Sequence, residues 1–329
     1  MRELTILSAG AGALALCFAA CSSDPQAGPA GAVDGGRSSS GGDAATSDAE
    51  AGPAGDGGCV DPTPGPLPSP LPTPVCDPNA KLAKEEKLTI STPDIDSLVA
   101  VTPDERTIVF TTKRPPAAST LWVADRASAS SAFGAPVEVP FADPGPIFVE
   151  EGALAPDGLS LVVASAERDR FVVVSRDAAG KPFGAPVEGP LADVNKALMA
   201  GDGVDHPVLS ADGLSFYFFR TRGEEGGQLR ATRPTLGATF GAPQPVPRSC
   251  LLEGGAGRRV MTAIAKDELA AFFVDEADGT AFVAFRPAPG FAFTRRQDLG
   301  KRRQPTPNAA CSAVYYSTVG SGADLFVGR

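Results

Sequence analysis

The feature that most constrains this chain is a phrase that it repeats. The octapeptide FGAPVEVP at 133–140 returns as FGAPVEGP at 183–190 and as FGAPQPVP at 240–247. Five turn residues follow the same rhythm, at spacings of 53, 55, 55 and 41: Asp104, Asp157, Asp212, Asp267 and Asn308. Such a period is typical of solenoids and propellers, in which one repeat cannot bury its apolar face alone. The chain is therefore predicted to contain five similar units.

Each unit has the composition of β structure. Short runs such as SLVVAS and AVYYST are rich in Val and Tyr and are bounded by turn residues, as strands are. Pro156-Asp157-Gly158 predicts a hairpin turn, because Pro presets φ, Asp bonds its own backbone and Gly accepts the left-handed position. Beyond the first twenty residues no stretch shows helical periodicity. Four strands per unit would make a propeller blade.

Two positions of the repeat bear on packing. Where other units have the turn Gly, three units have Glu105, Glu268 and Ala309. These turns either hold a left-handed residue that is not Gly or adopt another type. One phenylalanine also recurs in each of four units, and we expect these four to pack between blades: Phe133, Phe183, Phe240 and Phe291.

The phrase SADGLSFYFFRTRG at 210–223, together with DLFV at 324–327, resembles the TolB-type, WD-repeat-like propeller unit. The resemblance covers about residues 87–329, and it implies an architecture without implying an activity. The fifth unit ends after its third strand, while KLTIS at 87–91 precedes the first unit as an unassigned β stretch. We therefore expect an all-β, five-bladed β-propeller over residues 81–329, closed by an N-terminal strand that completes blade five.

The first twenty residues, MRELTILSAGAGALALCFAA, are typical of a signal peptide, with Arg2 before an apolar run that ends in Ala19-Ala20. The sequence FAAC that ends at Cys21 resembles the bacterial lipoprotein box, which implies lipidation of this cysteine. The alternative is ordinary cleavage that leaves Cys21 as a chance thiol. By resemblance to lipoprotein sorting rules, Ser22 favours the outer membrane, with acyl chains as the anchor.

Residues 21–80 are predicted to form a disordered tether. The segment consists mainly of Ala, Gly, Ser, Asp and Pro, and it offers too little apolar surface to offset the entropy of ordering. From 22 to 80 it has eight acidic residues and one Arg, whereas the whole chain carries −10. The propeller is thus nearly balanced in charge. We expect a monomer, and the lack of a basic footprint argues against a nucleic-acid partner.

Four cysteines remain beyond the signal peptide and the lipid site, namely Cys59, Cys76, Cys250 and Cys311. An even number in an exported chain predicts two disulfides, and four cysteines allow three connectivities. Local spacing suggests the pairs Cys59–Cys76 and Cys250–Cys311. The first pair meets an objection, because the intervening PTPGPLPSPLPTP favours an extended polyproline helix. No C-x-x-C pair is present, so we expect no metal at these cysteines.

Familiar chemical motifs are missing. The single histidine, His206, excludes His-based triads and multi-His metal sites, and we expect no cofactor and no metal. Counting back from each turn to the start of the first strand reaches one mouth of the channel, where we place Asp96, Glu150, Glu151, Asp205, His206, Arg259, Lys301 and Arg302. This mouth would be acidic over three blades and basic over two. It predicts a polarised site for an oligosaccharide, a peptide or a cation, and the alternative is a set of solvated loop charges, some paired with one another.

Two functions follow from this pattern. The first is an envelope-anchored lipoprotein whose propeller binds an envelope protein or glycan, without catalysis. The alternative is a propeller-type hydrolase or lyase that acts on a polysaccharide or a lactone, which would need convergent carboxylates or a metal at the mouth.

Overall fold

A computed structural model describes residues 66–92, 94, 96–112, 120–139, 147–165, 167–221, 226–247, 252, 258–320 and 323–329, and only the backbone of 147–150. The contacts divide the chain after Ala54, and the described residues belong to the second unit, Gly55–Arg329. The predicted signal peptide and lipid site, and Cys59 and Cys250, lie outside the described residues.

The described part is almost entirely β. Its strands are β1 (Glu85–Lys87), β2 (Asp96–Val101), β3 (Thr107–Thr112), β4 (Thr120–Asp125), β5 (Val137–Glu138), β6 (Ile147–Leu154), β7 (Ser160–Ser165), β8 (Phe171–Ser175), β9 (Gly203–Leu209), β10 (Ser215–Thr221), β11 (Gly227–Thr232), β12 (Gln244–Pro245), β13 (Arg259–Ile264), β14 (Ala270–Asp275), β15 (Thr280–Phe285), β16 (Arg295–Lys301), β17 (Arg303–Pro307), β18 (Val314–Ser317) and β19 (Leu325–Gly328). A 3₁₀ turn (Gly189–Leu191) leads into one short helix, α1 (Ala192–Lys196). Within the described ranges, no helix has the length and hydropathy needed to cross a membrane.

Five antiparallel sheets stand in a ring. Their strand orders are β2-β3-β4-β5, β6-β7-β8, β9-β10-β11-β12, β13-β14-β15-β16 and β17-β18-β19-β1. The first strand of each sheet lies innermost and contacts its counterpart in the next sheet, and β17 of the last blade contacts β2 of the first. The expected five-bladed β-propeller is confirmed.

The ring closes in blade five, where the N-terminal strand β1 pairs with the C-terminal strand β19. The expected closure is confirmed, although the strand is Glu85–Lys87 rather than the predicted 87–91. The backbone N–H of Leu88 still donates to the carbonyl of Leu325, at 2.8 Å, before the chain leaves the sheet. Blade two departs in another way, since its expected fourth strand is reduced to a single bridge between Val173 and Val187.

The core is divided among the junctions between blades. Five apolar clusters each draw side chains from two neighbouring blades, and the junction of blades two and three packs Phe171, Phe216, Phe218 and Phe240. The second strand of each blade is buried on both faces, which explains why runs such as TIVFTT and SFYFF lack polar alternation. Because each second strand packs against both neighbouring blades, its burial keeps the five sheets side by side around the channel.

The first turn of every blade has the same backbone. Its fourth residue donates to the carbonyl three residues back and has a left-handed φ, at Glu105 (62°), Gly158 (70°), Gly213 (69°), Glu268 (57°) and Cys311 (54°). In blade five the left-handed residue is therefore Cys311, and the assignment of Ala309 to that position is wrong. Asn308 opens this turn, as Thr102 and Ser210 open theirs, because its N–H bonds the carbonyl five residues on.

An arginine at the end of the third strand locks this turn in four blades. Its Nε donates to the carbonyl of the left-handed residue, and its guanidinium lies over a phenylalanine ring. The Arg–Phe pairs are Arg126–Phe133, Arg176–Phe183, Arg233–Phe240 and Arg286–Phe293, with centroid distances of 4.3, 5.1, 4.5 and 4.7 Å. The repeated FGAP phrase thus supplies the ring under this arginine. In blade four the ring is Phe293, so the expectation for Phe291 is wrong.

One disulfide joins Cys76 to Cys311, with the Cα atoms 5.0 Å apart. The pairings suggested by local spacing, Cys59–Cys76 and Cys250–Cys311, are therefore wrong. The reason is that the chain before β1 does not fold back on itself but runs across blades four and five. Cys76 is buried there among Ala263, Phe272 and other side chains of those blades, and the N–H of Val75 donates to Asp267.

Candidate binding site at the channel mouth

The central channel has two unlike ends. The end where the innermost strands begin, which we call the charged mouth, holds a cavity of about 710 Å³. Its lining includes the charged or titratable residues Glu151, His206, Glu276, Asp278, Lys301 and Arg303, the hydroxyl residues Ser97, Thr111 and Thr262, and the valines Val260, Val274 and Val319. The end where these strands finish, the apolar mouth, has a void of about 50 Å³ lined by residues such as Leu154 and Ile264.

The channel is narrow between the two mouths. A void of about 10 Å³ lies there, among Val99, Gly152, Pro207 and Met261, and it has room for no more than about one water molecule. A Cβ on Gly152 would come within 2.9 Å of the Val99 side chain, so blades one and two pack closely at this level. Below the charged mouth the channel is therefore narrow.

β-Bulges shape the charged mouth. The pairing of the innermost strand with its neighbour shifts register once in every blade. In blade three, His206 and Pro207 together oppose one residue of β10. A bulge bends the strand and re-aims its side chains, and His206 accordingly has a left-handed φ of 49°. The bulge residues Thr262 and Gln304 of blades four and five also line the cavity.

An ion-pair network with buried and partly exposed members forms one wall of the mouth. Because of its left-handed backbone, the N–H of His206 points to the Glu151 carboxylate, at 2.7 Å. The His206 Nε2 lies 2.9 Å from Glu276 Oε1 and 3.3 Å from Glu151 Oε1. The Arg258 guanidinium bonds both oxygens of Glu276 and reaches Asp205 Oδ2 at 2.7 Å. The network thus joins blades two, three and four.

The two glutamates of this wall differ in acidity. Burial raises the pKa of Glu151, and this outweighs the opposing effects of His206 and its backbone N–H. For Glu276, burial is outweighed by hydrogen bonds from His206 and Arg258, which lower its pKa to about 2. Two carboxylates that share one histidine but differ in acidity have the potential for proton transfer between a donor and an acceptor.

The same wall is also where a cation could be held. Donor atoms of Glu151, Asp205 and His206 lie within 4.8 Å of one another, and Asp205 Oδ1 is buried without a hydrogen-bond partner among the described residues. Arg258 and Arg168, however, lie 2.7 and 3.6 Å from Asp205 Oδ2 and already supply positive charge. A metal ion at Asp205 would therefore bind beside two guanidinium groups, which repel it.

The opposite wall is basic. Lys301 ends β16 and Arg303 begins β17, and both are exposed on the cavity. Neither forms an ion pair with another residue in the described part of the chain. Asp278, on the hairpin between β14 and β15, stands on the same rim, and its carboxylate accepts two hydrogen bonds from Thr280. The mouth is therefore polarised, with an acidic wall whose carboxylates are in ion pairs and a wall where two cations stand beside one exposed carboxylate, Asp278.

The structure brings some of the sequence-predicted mouth residues together and not others. Glu151 and His206 line the cavity, and Asp205 lies directly behind them. Asp96 is fully buried and accepts a hydrogen bond from the Thr92 N–H. Glu150 lies in β6, and its side chain is outside the described part of the structure.

Arg259 and Arg302 were each placed one residue out of register. Arg259 pairs with Asp275, and Arg302 lies over the Tyr316 ring and pairs with Glu85. Their neighbours Arg258 and Arg303 face the mouth, because successive side chains of a strand point to opposite sides. Glu276 and Asp278 were not predicted from the sequence, because they lie on the hairpin after β14 and not on an innermost strand.

The sheet topology and the polarised mouth define the class of this protein as a five-bladed β-propeller with a charged cavity at one end of its channel. No family model and no curated protein sequence matches the chain. Among solved structures it is similar to a TolB protein from Agrobacterium tumefaciens, at 13% identity over 69% of this chain and 71% of that chain, with a TM-score of 0.42.

Two enzymes of similar fold also match. One is a β-xylosidase, at 12% identity over 74% of this chain and 94% of that chain, with a TM-score of 0.48. The other is a gluconolactonase from Xanthomonas campestris, at 12% identity over 76% and 91% of the two chains, with a TM-score of 0.40. Likeness at this level says nothing about activity, so the function has to be argued from the site.

Proposed function

We propose that this protein is an envelope-anchored lipoprotein whose β-propeller binds an envelope protein or glycan in the cavity of the charged mouth. The observation that carries the proposal is the cavity itself, about 710 Å³ in volume and lined by side chains of both charges. Cavities of about 300–1,000 Å³ with a few convergent polar groups are the usual form of ligand sites.

The support for anchoring comes from the N-terminal sequence and from the path of the chain toward β1. The signal-like first twenty residues and the FAAC sequence at Cys21 favour a lipid anchor. The described chain before β1 is tied to the ring at Cys311 and Asp267, in turns at the apolar mouth. A tether attached there leaves the charged mouth on the opposite face, open to a partner.

The binding role is tested by filling the cavity without removing its charges. Val319 lines the cavity and is 39% exposed, so Val319→Trp is expected to block the mouth while the fold stays intact. Val187, 56% exposed on blade two, gives the matched control Val187→Trp. Full-length protein in detergent is incubated with solubilised envelope. Capture that is lost with Val319→Trp and kept with Val187→Trp supports the site, and equal capture by both variants refutes it.

The anchor is tested separately with Cys21→Ala. If Cys21 carries the acyl chains, this variant leaves the membrane fraction and no longer incorporates labelled palmitate. A variant that stays with the membrane and is still labelled would refute the lipid anchor.

A second candidate function is hydrolysis or elimination on a polysaccharide or a lactone. The observation in its favour is the pair of glutamates with opposed acidity, Glu151 above and Glu276 below the usual range, on either side of His206. An enzyme of this kind would lose turnover in Glu151→Gln while still binding substrate. Turnover of such substrates by the wild-type protein, abolished in Glu151→Gln, would replace the binding proposal with this one.

A further inference from the structure

We infer that the group recognised at the charged mouth is an anion on a sugar, so that the ligand is an acidic glycan. This inference rests on the proposed function and narrows it to one ligand class. It follows from three features of the mouth: which charges are left unpaired, how the basic pair is held, and what else lines the cavity.

The acidic wall has little charge to offer a ligand. Its three carboxylates, Glu151, Asp205 and Glu276, lie within an internal network with Arg258 and Arg168, and His206 contacts two of them. The guanidinium of Arg258 alone contacts two carboxylates, and this pairing offsets the cost of burying them. The basic wall differs, because Lys301 and Arg303 face the same cavity and neither forms an ion pair within 4 Å among the described residues. One exposed carboxylate on this rim, Asp278, interacts electrostatically with Lys301. With two cations against one carboxylate, the excess charge on this wall is positive.

The basic pair is held in place by the residue between its members. The N–H of Arg302 donates to the carbonyl of Gly279 at 3.2 Å, and its guanidinium lies 4.7 Å from the centroid of the Tyr316 ring. Arg302 also pairs with Glu85 of the closing strand. Arg302 is thus held away from the cavity, while its two neighbours Lys301 and Arg303 both line it. Two cations at adjoining strand ends that line one cavity suit a bound anion.

The remaining lining suits hydroxyl groups better than apolar ligands. Ser97 and Thr111 are directly opposed on β2 and β3, and both line the cavity. The Glu276 carboxylate on the facing wall is partly exposed and can accept further hydrogen bonds. None of the described lining residues is aromatic, so recognition depends on hydrogen bonds and charge. A ligand that fits this lining has one anionic group and several hydroxyl groups. An acidic sugar of one or two units has both.

The inference is tested by calorimetric titration of the full-length protein with matched oligosaccharides. Digalacturonate is the acidic probe, and galactobiose is its neutral counterpart. A sulfated galactobiose shows whether any negative charge is sufficient or whether a carboxylate is required. We expect the two acidic sugars to bind at least about tenfold more tightly than the neutral one, and the difference to shrink in high salt, as exposed charges are screened.

The variants identify the residues. Lys301→Gln combined with Arg303→Gln is expected to weaken digalacturonate binding about tenfold or more. Lys266→Gln, an exposed lysine at the apolar mouth, is the matched control and should leave binding unchanged.

Several results would overturn the inference. One is equal binding of neutral and acidic sugars that Val319→Trp abolishes, which would refute the anion while the proposed function stands. Tighter binding of an acidic peptide than of digalacturonate would refute the glycan. If none of these sugars binds, the ligand class is refuted. The proposed function is then decided separately, by whether Val319→Trp loses envelope capture.

Discussion

Glu105 and Glu268 stand in backbone conformations that normally favour glycine, with φ of 62° and 57°. A left-handed backbone costs a non-Gly residue about 1–2 kcal/mol, but here each carboxylate bridges to the preceding blade. Glu105 accepts hydrogen bonds from Tyr315 Oη at 2.6 Å and Arg126 Nη2 at 3.0 Å, and Glu268 accepts one from Tyr217 Oη at 3.0 Å. At this turn position a glutamate side chain therefore makes a contact between blades. The glycines at the same position in blades two and three, Gly158 and Gly213, have no side chain to make one.

The first prediction concerns Glu105→Gly, which matches the turn residue of blades two and three. It relieves the backbone but leaves buried Arg126 and Tyr315 groups without their acceptor, so we expect a net loss of about 2 kcal/mol in the free energy of unfolding. Chemical denaturation measures this loss. Glu167→Gly, at an exposed loop position, is the control and should change little.

A double-mutant cycle completes that test. Combining Glu105→Gly with Tyr315→Phe should cost less than the sum of the single changes, because both remove the same hydrogen bond. Full additivity, or a Glu105→Gly variant more stable than the wild type, would show that the bridge between blades contributes nothing.

The second prediction concerns the tyrosines. The chain has three, and burial raises the pKa of each, to about 12 for Tyr217 and Tyr315 and in the same direction for Tyr316. An unfolded tyrosine ionises near pH 10, so stability is present below about pH 10 and is lost as pH rises from about 10 to 12. Ultraviolet titration should show little tyrosinate at pH 10 in the folded protein. A folded titration that overlays the unfolded one would contradict this.

At the same scale, the sequence correctly predicted that charged residues lie at the charged mouth. It was less accurate about which residue of each strand points into the mouth. Counting back from the turns reached Glu151, Asp205 and His206 but gave Arg259 and Arg302, which turn away. A shift of one residue moves a strand side chain to the other face, and the bulges in the innermost strands shift the register in every blade. No local signal in the sequence marks where those bulges fall.

At the scale of elements, the repeat was sufficient to predict the blades because each one carries its own turn and apolar strand. Two elements differ from the prediction. VEGP at 187–190 forms only a bridge and a 3₁₀ turn instead of a fourth strand. The closing strand is short, since β1 has three residues and all are exposed. It needs support from elsewhere.

That support lies in the segment before it. The Cys76–Cys311 disulfide spans 235 residues of sequence, and Asn79 and Ala80 bond to Arg295 and Gln297 of β16. The backbone of Lys84 then exchanges hydrogen bonds with Arg329. Blade five is thus held by a covalent bond at one end of this segment and by a sheet pairing at the other.

The third prediction concerns this bond. Cys76→Ser is expected to lower the free energy of unfolding by about 2–5 kcal/mol, since the bond closes a very long loop. Amide exchange should also rise in β1 and β19 before it rises in β10. Cys311→Ser and the double variant should match the single change, because all three break the same bond. Unchanged stability and unchanged exchange in β1 would show that the short strand closes the ring unaided.

At the scale of the whole molecule, the two faces of the ring differ in structure. The chain before β1 is fixed in the turns of blades four and five at the apolar mouth, and the cavity opens at the other end of the same strands. Between the mouths the channel narrows to a void of about 10 Å³. A polarised cavity on the face opposite the Cys76–Cys311 disulfide agrees with the proposed capture of a partner.

The most direct measurement of that claim is a methyl NMR titration of valine-labelled protein with a uronic-acid disaccharide. Val260, Val274 and Val319 line the charged mouth, while Val101 and Val208 line the apolar mouth. We predict that the first three methyl pairs shift as the sugar is added and that the other two do not. Shifts confined to Val101 and Val208, or no shift at any valine of the charged mouth, would contradict the account.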